Sequence, residues 1–171
     1  VSRKPEFNRW IANSPPALKI SGAVGSFDFE GPLATELPNG AEPSKPGRTS
    51  GEPKAVPGIR GNGILLSGEN NAHFPGIAEF TRSDPFSISL FIRTTEAPER
   101  AVVLHRSRAW TDAGSQGYQL LLEDGRPSFS LIHFWPGNAI SVRAREPLEK
   151  GRWTQVTCTY DGSSQASGIQ L

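Results

Sequence analysis

The chain has 171 residues, 36% of them hydrophobic, and its 18 basic and 17 acidic side chains leave a formal charge of +1. Charges of both signs are interleaved without a Lys/Arg block, which argues against a nucleic-acid partner. No apolar run reaches the length of a membrane span, and no charged start followed by an apolar stretch marks a signal peptide, so any export signal would lie outside these residues.

Glycine (18) and proline (15) together approach a fifth of the chain, a turn-rich composition that fits many short strands better than helices. The single cysteine, Cys158, can form no internal disulfide and cannot supply a zinc cage or a haem attachment. It stands in the alternating run Val156-Thr157-Cys158-Thr159-Tyr160, on the same side as Val156 and Tyr160, and is read as a small buried apolar residue rather than a nucleophile.

Along the chain, residues 1–20 place Phe7, Trp10 and Ile11 at helical spacing before Ser14-Pro15-Pro16. A short helix followed by a linker from a preceding domain is expected there. Residues 21–171 are read as one sandwich domain. Gly25 to Glu30 alternates and predicts a first strand with Phe27 and Phe29 on one face. Between about 31 and 60, prolines at 32, 38, 43, 46, 53 and 57 predict an exposed, mobile loop without regular structure over most of its length.

Strand signals then recur. Gly63 to Ser67 is one, and Phe86 to Arg93 is the clearest, with Phe86, Ile88, Leu90 and Ile92 on one side and Ser87, Ser89, Phe91 and Arg93 on the other. Ala101 to His105 follows. Tyr118–Glu123 and Pro127–His133 flank Asp124-Gly125, a pair that tolerates positive φ in a tight hairpin turn. Ala139–Arg143 and Trp153–Tyr160 add two more, with Trp153 and Tyr160 expected in the core. Asp161 to Ser164 reads as a turn, and Ser167 to Leu171 begins a strand. The pattern is all-β and antiparallel.

The segments SFDFEG, GIRGNGILLSGE, DPFSISLFIRTTE, AVVLHRS, GYQLLLEDGRPSFSLI and KGRWTQVTCTYDGSSQASGIQL, in that order, resemble the laminin-G-like, concanavalin-A-like domains over Val24 to Leu171. The resemblance implies an antiparallel β-sandwich of jelly-roll form. Because family members usually continue with further strands, it also implies that closing strands are lacking after Leu171. More narrowly, Phe134 to Arg143 with Thr157 to Gly168 is similar to the sandwich inserted in planctomycete cytochrome-c-type proteins, and Arg3 to Trp10 is similar to the segment leading into it. That implies an extracytoplasmic, multidomain parent with neighbouring domains as partners, although no haem-binding residue lies in this chain.

Enzymatic chemistry finds little footing. Retaining glycoside hydrolysis, which this sandwich hosts elsewhere, needs two carboxylates about 5–5.5 Å apart, yet Glu69, Glu79, Glu96, Glu99, Glu123 and Asp124 stand singly or at turns. No G-x-S-x-G, P-loop or dinucleotide fingerprint occurs. The histidines His73, His105 and His133 have no nucleophile nearby in sequence, and the last two are expected to be partly buried at strand ends.

Recognition is better served. Sugars stack their apolar faces on aromatic rings while their hydroxyls reach amides and acids. Trp110, in the Arg106–Gly117 loop, and Trp135, ahead of Pro136-Gly137-Asn138, are candidate platforms, with Asn138 as an amide neighbour. The resemblance to pentraxin-like relatives implies a calcium-bearing loop near 106–117, with Asp112 the metal ligand, although the loop offers one acid against Arg100, Arg106 and Arg108. The expected function is thus a non-catalytic module that binds carbohydrate or protein through Trp110, Asp112, Trp135 and Asn138, with calcium as a possible cofactor. The alternative is an architectural spacer without a small ligand, and a glycoside hydrolase stands third.

Overall fold

A computed structural model describes residues 20–33, 36–107 and 116–171, and the expected N-terminal helix lies outside them. The chain divides into two compact units at Ala78/Glu79. The described residues are strands and connections, with a single 3₁₀ turn at Ala166–Gly168 as the one helical element among them.

In the first unit β1 (Glu36–Leu37), β2 (Gly47–Ser50) and β5 (Asn71–His73) form an antiparallel sheet in the order β1-β2-β5. A separate hairpin joins β3 (Lys54–Pro57) to β4 (Asn62–Leu65). The stretch at 31–60, expected to be an exposed loop, therefore holds three short strands, and Leu33, Leu37, Asn39 and Pro53 are buried in it. Its prolines bracket the strands instead of interrupting them: only Pro57 lies within one, as the last residue of β3. Proline at a strand end forfeits no interior ladder bond.

The first strand expected at Gly25–Glu30 does not form. Phe29 adopts a φ of 58°, which breaks an extended run. Phe27 nevertheless packs on Phe74 with ring centroids 4.2 Å apart. Phe74 also fits closely over Gly47, where a Cβ would come within 2.7 Å of the ring.

Asn39 holds this segment. Its side chain is 2% exposed. Its Oδ1 accepts from the backbone N–H of Ser26 (3.0 Å), Ala41 (3.0 Å) and Glu42 (3.2 Å). Its Nδ2 donates to the carbonyls of Val24 (3.1 Å) and Lys45 (3.2 Å). One amide thus satisfies five backbone groups that no ladder reaches.

The second unit is the sandwich. One layer is the antiparallel sheet β10-β9-β8-β7, built from β7 (Arg100–Arg106), β8 (Gly117–Glu123), β9 (Arg126–Phe134) and β10 (Asn138–Arg143). The other is β12-β11-β6, built from β6 (Phe86–Ile92), β11 (Thr154–Tyr160) and β12 (Ile169–Gln170). β6 alternates as its sequence predicts, with Phe86, Ile88, Leu90 and Ile92 turned inward and Ser87, Ser89 and Phe91 exposed. β8 and β9 do not alternate. Leu120, Leu121 and Leu122 are all buried, as are Pro127 to Ser130, because both faces of these central strands are withdrawn from solvent.

The Phe86 ring joins the layers. It lies 5.2 Å from Tyr118, 6.2 Å from Phe129 and 5.7 Å from Tyr160, and stacks on Phe80 at 4.4 Å. The Asp124-Gly125 turn forms with φ of 50° and 74° and pairs Glu123 with Arg126, the geometry of a primed hairpin turn. Its Asp124 carboxylate accepts from Arg143 at 2.8 Å. Tyr160 is core, but Trp153, expected beside it, is only half-buried, with the Arg93 guanidinium 5.0 Å from its ring centroid. The alternation of β11 explains the difference: Trp153 shares the outward side of Gln155 and Thr157, opposite Val156, Cys158 and Tyr160.

Replacing Asn39 by Ala should destabilise the protein by about 3 kcal/mol, since several backbone groups lose their partner at once; urea unfolding of Asn39→Ala against the parent measures it. Burial pushes the Cys158 thiol up to about 11 and the Tyr118 phenol up to about 12, the latter opposed by the Arg106 charge. Both are acids whose neutral form the fold favours, so the unfolded chain loses these protons first as pH rises. The urea midpoint should therefore fall between pH 9 and pH 11. Cys158→Ala should flatten part of that decline.

Candidate ligand-binding rim

The rim is built at one end of the four-stranded sheet. β9 ends at Phe134 and β10 begins at Asn138, and these two residues pair across the turn Trp135-Pro136-Gly137. The Trp135–Pro136 peptide is cis, and the register shifts between Asn138 and Ala139. Phe134 is 50% exposed and Trp135 49% exposed, and His133 and Asn138 are exposed beside them.

The same end carries the connection between β7 and β8. Gly117 pairs with Ile132, which pairs in turn with Ala139, so Arg106, Gly117, Phe134 and Asn138 all stand toward this end. His105 Nδ1 lies 3.1 Å from Ser107 Oγ, and Arg106 donates to Glu79 at 2.9 Å. Trp110 and Asp112 lie in this connection, outside the described residues. Trp135 lies in the turn, and Asn138 follows it as the first residue of β10.

Other expectations need correction. His105 and His133, expected to be partly buried, are exposed: His105 pairs with Gln119, on the face of the sheet opposite Tyr118, and His133 is the next-to-last residue of β9. Among the acids that stood alone in sequence, Glu79 is taken by Arg106 and Asp124 by Arg143. These pairs are solvent-exposed and hold local geometry more than they add stability.

Two further carboxylates are depressed below their ordinary range. Asp84 accepts from the Thr81 backbone N–H and hydroxyl, each at 2.7 Å, and Asp161 is held down by the Ser163 hydroxyl and its backbone N–H. Both shape turns. The Asp161 turn is locked to the chain before β6, where the Tyr160 hydroxyl donates to the Arg82 carbonyl and accepts from the Ser164 N–H at 2.7 Å. Among the described residues, no group of three or more His, Cys, Asp or Glu is placed to hold a metal ion, and no helix is long and apolar enough to cross a membrane.

The all-β make-up and the antiparallel sheets of the second unit are consistent with one family. A laminin-G model described as the concanavalin A-like lectin/glucanases superfamily matches residues 66–169, more than half of the chain. The chain belongs to that superfamily. The match takes in β5 and the second unit as far as Ile169. No curated protein and no solved structure matches the chain. The superfamily's description joins lectins to glucanases, so membership supports a carbohydrate- or protein-binding module at the level of class, and the particular site has to come from side chains.

Phe134 is the rim residue that sequence reading passed over. Its one signal is position: it is the last residue of β9, paired with Asn138 beyond the point where the β9–β10 register shifts. Because Trp135 packs into no core, Trp135→Ala should move the unfolding free energy by less than about 0.5 kcal/mol, as read from urea titrations of the variant and its parent.

Proposed function

We propose that the chain is a non-catalytic recognition module that engages carbohydrate through the rim formed by the β9–β10 turn and the β7–β8 connection. The observation that carries this reading is the pair of aromatic side chains, Phe134 and Trp135, each about half exposed on one short turn. Large aromatics left in water on a turn are what a pyranose face needs for stacking, and Asn138 adds an amide for its hydroxyls. Trp110 belongs to the same reading as a second platform and Asp112 as a calcium ligand, since their connection begins and ends at the same sheet end as the turn. The superfamily assignment supports the class of ligand. The resemblance to cytochrome-c-associated sandwiches supports an extracytoplasmic, multidomain parent.

The test is a glycan array probed with the whole chain, with and without calcium. Saturable binding that falls at least tenfold in Trp135→Ala is the expected result. Calcium dependence that disappears in Asp112→Asn would extend the site to the β7–β8 connection. A blank array in both conditions would overturn the reading in favour of an architectural spacer.

A further inference from the structure

Among the described residues the two sheets of the second unit end in four edge strands, β7 and β10 on one sheet and β6 and β12 on the other. An edge presents unpaired N–H and C=O groups that invite another strand, and proteins ordinarily blunt it with charge, proline, a bulge or shortness. Three of the four are blunted. β7 carries Arg100 and Arg106 and a register shift between Val102 and Leu104. β10 carries Arg143 and a shift between Asn138 and Ala139. β12 is two residues long.

β6 has none of these devices. Its seven residues, Phe86 to Ile92, include no charge, proline or glycine, and they pair with β11 in unbroken register from Phe86 with Tyr160 to Ile92 with Thr154. On the outward face a strip of hydroxyls and one amide ties it to β11: Ser89 Oγ and Thr157 Oγ1 lie 2.8 Å apart, and Gln155 Nε2 donates to Ser89 Oγ at 3.0 Å. The inward face is less complete. Val156, Cys158 and Tyr160 of β11 are buried, whereas Ile88, Leu90 and Ile92, on the same side of the sheet, are only half-buried. A strand added beyond β6 would withdraw that aliphatic surface from water.

The strand is complementary to itself. Two β6 strands laid antiparallel about a twofold axis at Ser89, the middle residue, pair Phe86 with Ile92, Ser87 with Phe91, Ile88 with Leu90, and Ser89 with its own copy. Directly opposed residues of an antiparallel pair share a face, so the inward side chains of both copies meet on one face and the serines on the other. The same register sets Arg93 opposite Pro85 of the second copy, one residue from its Asp84. Opposite charges therefore approach at both ends of the paired segment, and no charge falls within it.

We infer that β6 is an interface strand, through which the chain joins a second copy of itself in one continuous sheet of order β12-β11-β6-β6-β11-β12. The pairing is isologous and uses each β6 edge once, so it closes at two copies instead of growing into a fibre. Main-chain hydrogen bonds across the new ladder hold the pair, and the alternation of side chains fixes its register. The inference does not depend on the rim, since no residue is shared between the two surfaces.

The test is sedimentation of the whole chain across a concentration series, where a reversible dimer is expected. Ser89→Lys and Ser89→Glu each set like charges face to face on the axis and should weaken dimerisation about tenfold or more. Mixing the two variants should restore it, and Trp135→Ala should leave it unchanged. Ser89→Cys should form an intermolecular disulfide on mild oxidation, because opposed Cα atoms of an antiparallel pair stand about 4.5–5.5 Å apart, within disulfide reach. Ser87→Cys, opposed to Phe91, should not, and the native thiol, Cys158, is buried. The crosslink carries the test should thermal melts show the charged variants unfolded. A chain that stays monomeric at every concentration overturns the inference. So does a dimer that persists in both charged variants, or one that their folded mixture fails to restore. Crosslinking of Ser87→Cys as readily as Ser89→Cys also overturns it, since that assigns another register.

Discussion

The second unit depends on the ring of Phe86. It is the first residue of β6, it faces inward, and it touches Tyr118 and Phe129 of the opposite sheet as well as Tyr160 of its own. Once that ring is fixed, the period of two assigns every other side chain of β6, and the antiparallel register carries the assignment to β11. Ile88, Leu90, Val156 and Cys158 must go in, and Ser89, Phe91, Gln155 and Thr157 must go out. A register slip of one residue would bury the hydroxyls and expose the aliphatics together.

The same constraint separates two kinds of exposed aromatic. Phe91 is exposed because alternation turns it outward from a well-packed strand, and its neighbours are positioned by a ladder. Phe134 and Trp135 are exposed at the end of β9 and in the turn that follows it. The first arrangement lies on the face of strands paired in continuous register. The second is a strand end and the turn that follows it.

The first unit solves a different problem. Its strands are two to four residues long, too short for ladders to satisfy much backbone. Asn39 takes over that task by gathering amides and carbonyls from residues 24 to 45 around one side chain. A buried polar network of this sort is favourable only when fully satisfied, and here both ends of the amide are used.

What the sequence determined by itself was periodic and local. Phe86 to Ile92 announced its buried side, Asp124-Gly125 announced its turn, and Val156, Cys158 and Tyr160 announced theirs, because alternation and left-handed φ are written residue by residue. Tertiary structure alone decided the rest. Leu121 and Ser128 are buried because β8 and β9 lie at the centre of a sheet shielded on both faces, which no strand's own pattern can state. The strands between prolines at 31–60 exist because partners distant in sequence pair with them, and the hydroxyl strip exists only because β6 and β11, more than sixty residues apart in the chain, are laid side by side. Sequence records the preference of each residue for a face; only packing decides what that face will meet.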